Sequence, residues 1–335
     1  MRRREFVFAA GRALAAGVVM GRVSRQKRTS DIVQTGVAAG SSSPGVPLNA
    51  AAYHATRRHV KTRGGNVAYI ERGTGDAVLF LHGLPLNGLQ WRGAIDRLLT
   101  TRRCVAPDFL GLGYSELGDG QSVAPGAQVA MLVELMDKLA IKTADVIASD
   151  SGGAIAQLLA TRHRDRVRTL LLTNCDVEPD SPPAAIRPIL AMAHDGTLIE
   201  KLTAPWLADK ARCRKEFGGL VYGNPAHLTD DVIDYYFAPV LSTPKRRAEF
   251  VAYHLALEVN PLAGVEAALQ QCTVPTRIVW GMADTIFSPL SPDYLDRTLP
   301  NSRGVRRIAD GKLFFPEEYP HVIAEEARRL WSPPR

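Results

Sequence analysis

Residues 146–156 of the chain read Val-Ile-Ala-Ser-Asp-Ser-Gly-Gly-Ala-Ile-Ala. The apolar run predicts a buried strand, the two glycines predict a tight turn, and the alanine-rich continuation predicts a helix. Small residues on both sides of a polar side chain are typical of a strained strand-to-helix turn that presents a nucleophile, because larger neighbours would clash there. The helix that begins at this turn points its backbone N–H groups and its dipole at the turn, which stabilises negative charge.

Three side chains in this turn are able to act as a nucleophile, namely Ser149, Asp150 and Ser151. Asp150 fits the turn best, because an alanine then precedes it by two residues and both glycines fall on the side that packs against the helix. If Ser151 occupied the turn instead, the protein would be an ester hydrolase. A third reading is a glycine-rich strand-to-helix connection without chemistry.

The composition indicates one large domain. The chain has 335 residues, of which 46% are hydrophobic, enough for one α/β domain with an inserted subdomain. We expect no membrane span, because no apolar run reaches the roughly 18 residues that a span requires. The four cysteines show neither a Cys-x-x-Cys pattern nor metal-ligand spacing. We therefore expect reduced thiols, no metal site and no cofactor.

The net charge of +7 comes from the N-terminal arm. Residues 1–63 hold 12 Lys and Arg against 2 Asp and Glu, whereas residues 64–335 hold 29 against 32. The body of the protein is therefore slightly acidic, which argues against nucleic acid as a partner. We expect a small-molecule substrate instead.

The arm has the features of a targeting segment. Arg3, Arg4 and Phe6 resemble the start of a twin-arginine export signal, and a weakly apolar stretch follows. Residues 1–23 are accordingly expected to direct export to the periplasm or the extracellular space; otherwise they form a basic tail on a cytoplasmic protein. Residues 24–51, which contain Ser, Gly and Pro, are expected to be a disordered linker.

Short apolar strands alternate with helical patterns through the rest of the chain. The expected strands are Val67–Ile70, Val78–Leu81, Cys104–Asp108, Leu170–Thr173, Arg277–Trp280 and Arg306–Ile308, and the expected helices are Asn87–Leu99, Ala127–Leu139 and Pro320–Trp331. This alternation predicts a mostly parallel sheet covered by helices on both faces. Residues 178–260 lack strand signals and are too long for a loop, so we predict an inserted helical cap on a core of residues 52–177 and 261–335.

Four segments in this order resemble the motifs of the α/β-hydrolase superfamily. They are the His-Gly-x-Pro loop at residues 82–85, the Asp-x-x-Gly-x-Gly-x-Ser segment at 108–115, the turn at 148–153 and Gly-x-x-Asp at 281–284. The resemblance covers about residues 64–333. An Asp at the turn is similar to the haloalkane dehalogenase and epoxide hydrolase branch of that superfamily. The resemblance implies the α/β-hydrolase fold.

The resemblance also implies roles for individual residues. Asp150 would attack carbon and form an ester on the enzyme, which water would then cleave. The backbone N–H groups of Leu84 and Ser151 would form the oxyanion hole. Asp284 would be the acid that orients a histidine, and Asp176 is an alternative acid.

The sequence departs from the family where the histidine should stand. Counting back from Glu317 and Glu318, that place falls at Lys312 or Leu313, and neither is a histidine. Replacement bases would be His321, Lys312 with a pKa lowered by burial, or one of the cap histidines, which are His194, His227 and His254. Without a base, an ester on Asp150 would form once and persist.

The expected substrate pocket includes His82, Trp91, Tyr222, Tyr235 and Tyr236. By resemblance, cap tyrosines, among them also Tyr253, would protonate an epoxide, and Trp206 would line the pocket. Ser151 and Leu84 stand where dehalogenases of the branch carry halide-binding side chains. This departure weakens the prediction of dehalogenase activity.

The function that these features predict is a cofactor-independent hydrolase acting on a small apolar substrate, with a carbon–halide bond, an epoxide or an ester as the reacting group. Two alternatives remain open. One is a ligand-binding protein on a hydrolase scaffold that performs no reaction. The other is a lyase or isomerase that uses Asp150 as a general base.

Overall fold

A computed structural model describes the backbone of residues 31–33 and the chain from residue 49 to residue 332. The expected export signal lies outside these residues. The expected linker is not wholly without structure. Within it, Asp31–Val33 is a strand, and a helix begins at Ala50. The strand pairs with the last strand of the sheet, whose free edge offers N–H and C=O groups for such pairing.

The strands of the described chain form one sheet. They are β1 (Asp31–Val33), β2 (Arg58–Thr62), β3 (Gly65–Arg72), β4 (Ala77–Leu81), β5 (Arg103–Pro107), β6 (Glu116–Leu117), β7 (Ala144–Asp150), β8 (Val167–Cys175), β9 (Thr276–Gly281) and β10 (Ser302–Ile308). Their order is β1-β10-β9-β8-β7-β4-β5-β3-β2, and β6 pairs with β3. Pairing is parallel from β1 to β5 along this path, and it is antiparallel at β3.

The helices alternate with the strands and also fill the long connection after β8. They are α1 (Ala50–Ala55), α2 (Arg92–Leu98), α3 (Pro125–Lys138), α4 (Ser151–Arg162), α5 (Arg187–His194), α6 (Ala204–Ala208), α7 (Lys210–Cys213), α8 (Gly219–Val221), α9 (Asp230–Leu241), α10 (Pro244–Ala256), α11 (Glu266–Gln270), α12 (Ser291–Thr298), α13 (Phe315–Glu318) and α14 (Pro320–Trp331). Among the described residues, no helix is long and apolar enough to cross a membrane.

The centre of the sheet is buried on both faces. Every side chain of β4 and of β7 is buried. The continuous apolar run of β4 and residues 146–148 of β7 predict this burial, and β7 also buries Asp145, Ser149 and Asp150. Helix α2 packs on α14, and α3 packs on α4, so that two helical layers enclose the sheet. The predicted mostly parallel sheet between helices is confirmed, and it is the α/β-hydrolase fold.

Residues between β8 and α11 form the cap, which consists of helices α5–α10 and short turns. Helix α10 packs on α5 and α9, and α9 packs on α6 and α7. Helix α11 contacts α4 and α12, which places it with the core. Cap residues and the residues at the carboxyl ends of β4, β7 and β8 line one cavity. The cap therefore covers the carboxyl ends of the parallel strands, where ligands bind in open α/β sheets.

Candidate active site

Asp150 occupies the turn between β7 and α4. Its backbone has φ 56° and ψ −135°, and Ala140 is the other non-glycine residue of the described chain with a positive φ. Such a conformation costs about 1–3 kcal/mol, which the surrounding structure must offset. Ser149 belongs to β7 and Ser151 begins α4. Of the three candidate nucleophiles, the structure therefore places Asp150 at the strained position.

The glycines next to Asp150 allow α4 to start directly against the sheet. A Cβ atom on Gly152 would lie 2.4 Å from the carbonyl oxygen of His82, and one on Gly153 would lie 2.2 Å from Cβ of Cys175. On Gly83, a Cβ atom would lie 2.5 Å from Cβ of Asp150. These approaches are closer than real Cβ contacts, so each position requires glycine unless the backbone moves.

Two backbone N–H groups hold one oxygen of the Asp150 carboxylate. Leu84 N–H donates to Oδ1 over 3.0 Å, and Ser151 N–H donates to the same atom. These are the two residues predicted to form the oxyanion hole. Oδ2 accepts no hydrogen bond from the backbone of the described chain. One oxygen is thus fixed, while the other can approach a ligand.

The loop that supplies Leu84 is held in shape by His82. Its Nε2 accepts from Phe109 N–H over 3.0 Å, which makes Nδ1 the donor to the carbonyl oxygen of Gly83 at 2.9 Å. Burial lowers the pKa of His82, in keeping with a neutral ring. The prediction that His82 lines the pocket was wrong, because both ring nitrogens are bound to backbone.

The cavity above Asp150 is mostly apolar. Its volume is about 90 Å³. Its walls come from the cap, including Leu198, Trp206 and Phe217, and from core loops that carry Leu84, Leu313 and Phe314. The ionisable side chains that line it are Asp150, Asp176 and His254, and no Lys or Arg of the described chain is among the lining residues. A site of this size and lining suits a small, neutral, apolar ligand.

Burial without a cation changes the ionisation of Asp150. Desolvation raises the pKa of its carboxyl to about 6, although the N–H groups of Ser151 and Leu84 oppose the rise. The nearby Asp284 contributes in the same direction as burial. A carboxylate in such surroundings is a stronger base than one in water.

Asp176 is the second acid of the cavity. It follows β8, whose Cys175 lies opposite Asp150 in the parallel register of β7 and β8. Its Oδ1 accepts from Ser181 Oγ over 2.8 Å. Burial, and after it the charge of Asp150, raises the pKa of Asp176 to about 7. The structure thus places the alternative acid inside the cavity.

Asp284 lies after β9, as predicted, but its oxygens are already engaged. Oδ2 accepts from the side-chain amide of Asn174 over 2.8 Å, and Oδ1 accepts from Ile286 N–H over 2.9 Å. Burial raises its pKa, and it is not among the residues that line the cavity. Asn174 escaped the sequence analysis, because an amide in an apolar strand carries no chemical signature.

Of the two positions at which the histidine was expected from the sequence, Leu313 lines the cavity. Lys312, one of the replacement bases proposed from the sequence, points its ammonium at the carbonyl oxygen of Gly219 in the cap. His321 lies on α14, where burial and the cations Arg97 and Arg306 lower its pKa. Neither residue lines the cavity. Both predictions were therefore wrong, since the order of residues along a loop does not fix where each side chain points.

Of the three cap histidines, His254 is the one that lines the cavity. Its Nδ1 lies 2.8 Å from the carbonyl oxygen of Phe250 one turn earlier in α10, and burial lowers its pKa to about 4. His194 instead contacts Glu258, and His227 lies 3.7 Å from Glu317. The sequence offered one signal for His254, which is that it lies four residues after Phe250 and so on the same face of α10. This spacing does not show whether that face points to the cavity or to solvent.

Three cap tyrosines predicted for the pocket lie elsewhere. Tyr222 and Tyr236 donate their hydroxyls to Oε1 of Glu317, over 2.5 Å and 2.9 Å. Glu317 also pairs with Arg92 at 2.6 Å. The hydroxyl of Tyr235 accepts from the Arg57 guanidinium. These predictions were wrong because the tyrosines form buried polar contacts between the cap and the core.

Trp91 was also wrongly assigned to the pocket. It is fully buried and packs against Phe80 of β4, with ring centroids 5.8 Å apart. Tyr253 comes nearer to the site, because its buried hydroxyl lies beside Ser151, and burial raises its pKa. No cluster of His, Cys, Asp and Glu in the described chain has the arrangement of a metal site.

Comparison with known proteins agrees with this architecture. The family model of the alpha/beta hydrolase fold matches residues 76–200. The chain is 26% identical to haloalkane dehalogenase 2 of Mycobacterium tuberculosis, over 78% of this chain and 89% of that protein. It is 25% identical to the cis-3-alkyl-4-alkyloxetan-2-one decarboxylase of Shewanella oneidensis, over 69% and 74%. The crystal structure of haloalkane dehalogenase DbeA from Bradyrhizobium elkani has a TM-score of 0.68 at 26% identity, over 82% of this chain and 97% of that one.

Proposed function

We propose that the chain, which has the α/β-hydrolase fold, is a hydrolase in which Asp150 attacks an electrophilic carbon of a small apolar substrate. One observation carries the proposal. Asp150 sits on the strained turn with Oδ1 held by two N–H groups, in an apolar cavity that its side chain lines. This arrangement fixes the carboxylate while leaving Oδ2 to react.

In the first step, Oδ2 of Asp150 forms a bond to carbon while the bond from that carbon to the leaving group breaks, and the electron pair leaves with that group. An alkyl halide or an epoxide leaves an ester on Asp150, and an ester substrate leaves an anhydride. In the second step, the oxygen of a water attacks Cγ of Asp150, and negative charge develops on Oδ1. The N–H groups of Leu84 and Ser151 lie where they stabilise this charge. Collapse of the intermediate releases the alcohol and restores Asp150.

The cavity favours a leaving group that stays attached or departs neutral. Two carboxyl groups and no Lys or Arg line it, so a halide anion would face repulsion without a compensating cation. The indole N–H of Trp206 is bound to Glu216 over 2.8 Å and is not free to hold a halide. We therefore place epoxides ahead of alkyl halides and esters as substrates.

Oxygen labelling and mass spectrometry test the proposal. The protein is incubated with 1,2-epoxyalkanes, 1-iodoalkanes and p-nitrophenyl esters in water enriched in ¹⁸O. In a single turnover the product oxygen comes from Asp150 and is unlabelled, and over many turnovers label enters the peptide that contains Asp150. Asp150→Asn abolishes both signals. Ser151→Ala retains them, because the backbone N–H of residue 151 remains.

Two results would contradict this function. Turnover that survives Asp150→Asn and disappears in Ser151→Ala would identify an ester hydrolase that uses Ser151. Absence of both adduct and turnover with all three substrate classes, together with ligand-induced thermal stabilisation that persists in Asp150→Ala, would identify a binding protein.

A second candidate function follows from the absence of a histidine at both Lys312 and Leu313, where the resemblance implies one. A reaction that consumes no water needs no water-activating base, and the relative from Shewanella oneidensis is a decarboxylase of oxetan-2-ones. Asp150, with its raised pKa, would then act as a general base or nucleophile in a lyase or isomerase. Conversion of a 3,4-dialkyloxetan-2-one with release of CO2 and without uptake of ¹⁸O would favour this function over hydrolysis.

A further inference from the structure

Asp176 and Asp150 lie at the carboxyl ends of two neighbouring strands in the middle of the sheet. β7 ends at Asp150 and β8 ends at Cys175, which is its register partner, so that Asp176 is the first residue beyond the pair. Both carboxyl groups line the same cavity. Oδ1 of Asp176 accepts from Ser181 Oγ over 2.8 Å, and the backbone N–H of Asp176 is a further donor to its carboxyl. Each acid is thus anchored by hydrogen bonds while its carboxyl lines the cavity.

The groups around the two acids provide no positive charge. Asp180 and Ser181 come from the loop after β8, while Tyr253 and His254 come from α10. His254 is neutral at ordinary pH, because burial lowers its pKa to about 4. Two neighbouring carboxyls without a cation do not readily ionise together. The pair therefore retains one proton near neutral pH.

We propose that Asp150 and Asp176 form a pair that shares one proton, and that Asp176 performs the proton transfers for which the family uses a histidine. This inference rests on the function proposed above and assigns the missing base. It also favours epoxides as the substrate class, since their opening requires a proton.

The proton balance of the cycle closes within the pair. At the start Asp150 is ionised and Asp176 is protonated. Oδ2 of Asp150 attacks an epoxide carbon, the C–O bond of the ring breaks, and the departing oxygen takes the proton of Asp176. Ionised Asp176 then accepts a proton from the water that attacks Cγ of Asp150. The alkoxide expelled from the ester takes that proton, and the proton that remains on Asp150 returns to Asp176. One epoxide and one water have become one diol.

Other basic groups fit this role less well. The amino group of Lys312 is bound to Gly219 of the cap. His254 reaches the cavity, but its Nδ1 is engaged with Phe250 and its low pKa makes it a weak base. Asp176 combines a position next to Asp150 with a pKa of about 7, near the value that general acid–base transfer at neutral pH favours.

An alkyl iodide separates the two steps, because iodide leaves without a proton. Asp176→Asn treated with 1-iodobutane is expected to accumulate one equivalent of butyl ester on Asp150, detected by mass spectrometry, whereas the unmodified protein turns over without it. With 1,2-epoxyhexane, the same variant is expected to lose about 10²–10⁴-fold in kcat. Asp180→Asn is the matched control, since it removes a neighbouring carboxylate that does not line the cavity, and it should retain kcat within about threefold.

The pH profile of kcat/KM with 1,2-epoxyhexane tests independently whether the pair holds one proton. A pair that must hold one proton gives a bell-shaped kcat/KM, and the pKa values of about 6 and 7 place its maximum between them. Asp176→Glu should restore part of the bell, and Asp176→Asn should remove it.

Three results would overturn the inference while leaving Asp150 as the nucleophile. They are full turnover by Asp176→Asn, a bell-shaped profile that persists in this variant, or accumulation of the ester in His254→Gln and not in Asp176→Asn. Absence of the ester from every variant, with turnover intact in Asp150→Asn, would instead contradict the proposed function itself. A melting temperature within a few degrees of the parent verifies that Asp176→Asn is folded.

Discussion

The protein buries acids in two contrasting ways. Glu317 sits between the cap and the core with Arg92 at 2.6 Å and two tyrosine hydroxyls on its Oε1. Burial opposes its ionisation, but Arg92, His227 and Tyr222 outweigh burial and lower the pKa of Glu317. Asp150 and Asp176 lack any cation, and burial raises the pKa of both.

The difference separates structural from chemical use of a carboxylate. Arg92, His227 and Tyr222 favour the charge of Glu317, so this carboxylate fixes the cap to α13 and has no proton to exchange near neutral pH. The pair in the cavity has retained the ability to gain and lose protons at the cost of stability. Perturbed carboxyls of this second kind mark functional sites.

The largest expected effect is on turnover. Asp150→Asn should lower kcat by about 10⁴-fold, equivalent to about 5.5 kcal/mol, because the amide keeps the shape of the turn but is not a nucleophile. Steady-state kinetics with the best substrate of the panel measure the loss. The same variant should be no less stable than the parent in urea unfolding, since it removes a buried carboxyl without a counter-ion. A marked loss of stability would show that the charge of Asp150 has a structural role.

The second largest expected effect is on stability, and it concerns Glu317. Glu317→Ala should destabilise the protein by about 3–5 kcal/mol, because it leaves Arg92 buried without its partner. Urea unfolding measures this change. Glu325→Ala is the matched control, since Glu325 is 44% exposed and pairs with the exposed Arg329 and with Arg306. It should cost less than about 1 kcal/mol, because Arg306 keeps its pair with Glu326. Equal losses in the two variants would remove the distinction between the buried and the surface acid.

The dependence of stability on pH should have opposite signs for the two kinds of acid. A pKa raised in the folded state means that the folded protein binds more protons than the unfolded chain. Stability from Asp176 is therefore fully present below the unfolded pKa near 4 and is lost as pH rises toward about 7. For Glu317 the pKa is lowered, so its stability is present above the unfolded value and is lost as pH falls through the folded pKa.

Asp176→Asn should therefore gain about 4 kcal/mol over the parent at pH 8 and little at pH 4, because a pKa raised from 3.8 to about 7 spans about three units at about 1.4 kcal/mol each. Urea unfolding at both pH values measures this. Glu317→Gln should show the reverse trend, with its deficit largest at pH 8. Parallel curves for Asp176→Asn and the parent would mean that Asp176 titrates alike in the folded and unfolded states.

The sequence predicted the turn and the central strands because their signals are local. Ala148, Asp150 and the two glycines at 152 and 153 specify a strand-to-helix turn by their own sizes. β4 is an unbroken apolar run, and β7 contains an apolar run at residues 146–148. Strand β2 was missed because Arg58–Thr62 is mostly polar, as suits an edge strand with exposed side chains. Its place depends on pairing with β3, which is a tertiary contact.

The site was predictable only where the backbone alone sets the geometry. Asp150 and the N–H groups of Leu84 and Ser151 lie as the motif implies, since the turn and loop fix them. The cap residues were assigned poorly, because α9 carries Tyr235 and Tyr236 on adjacent positions that face different neighbours. Periodicity gives the relative direction of two side chains and leaves open which of them faces the cavity.

The smallest expected effect tests the corrected role of Tyr235. Its hydroxyl accepts from Arg57, and the guanidinium lies over the Tyr114 ring, 3.3 Å from the centroid. Tyr235→Phe removes that hydrogen bond and keeps the ring, so it should cost less than about 1 kcal/mol in urea unfolding and leave kcat and KM within twofold. Tyr236→Phe, on the adjacent position, should cost more, because it takes a donor from buried Glu317. A tenfold fall in kcat for Tyr235→Phe would show that this tyrosine acts in the reaction. It would then belong with Asp150 and Asp176 and not with the structural groups around Glu317.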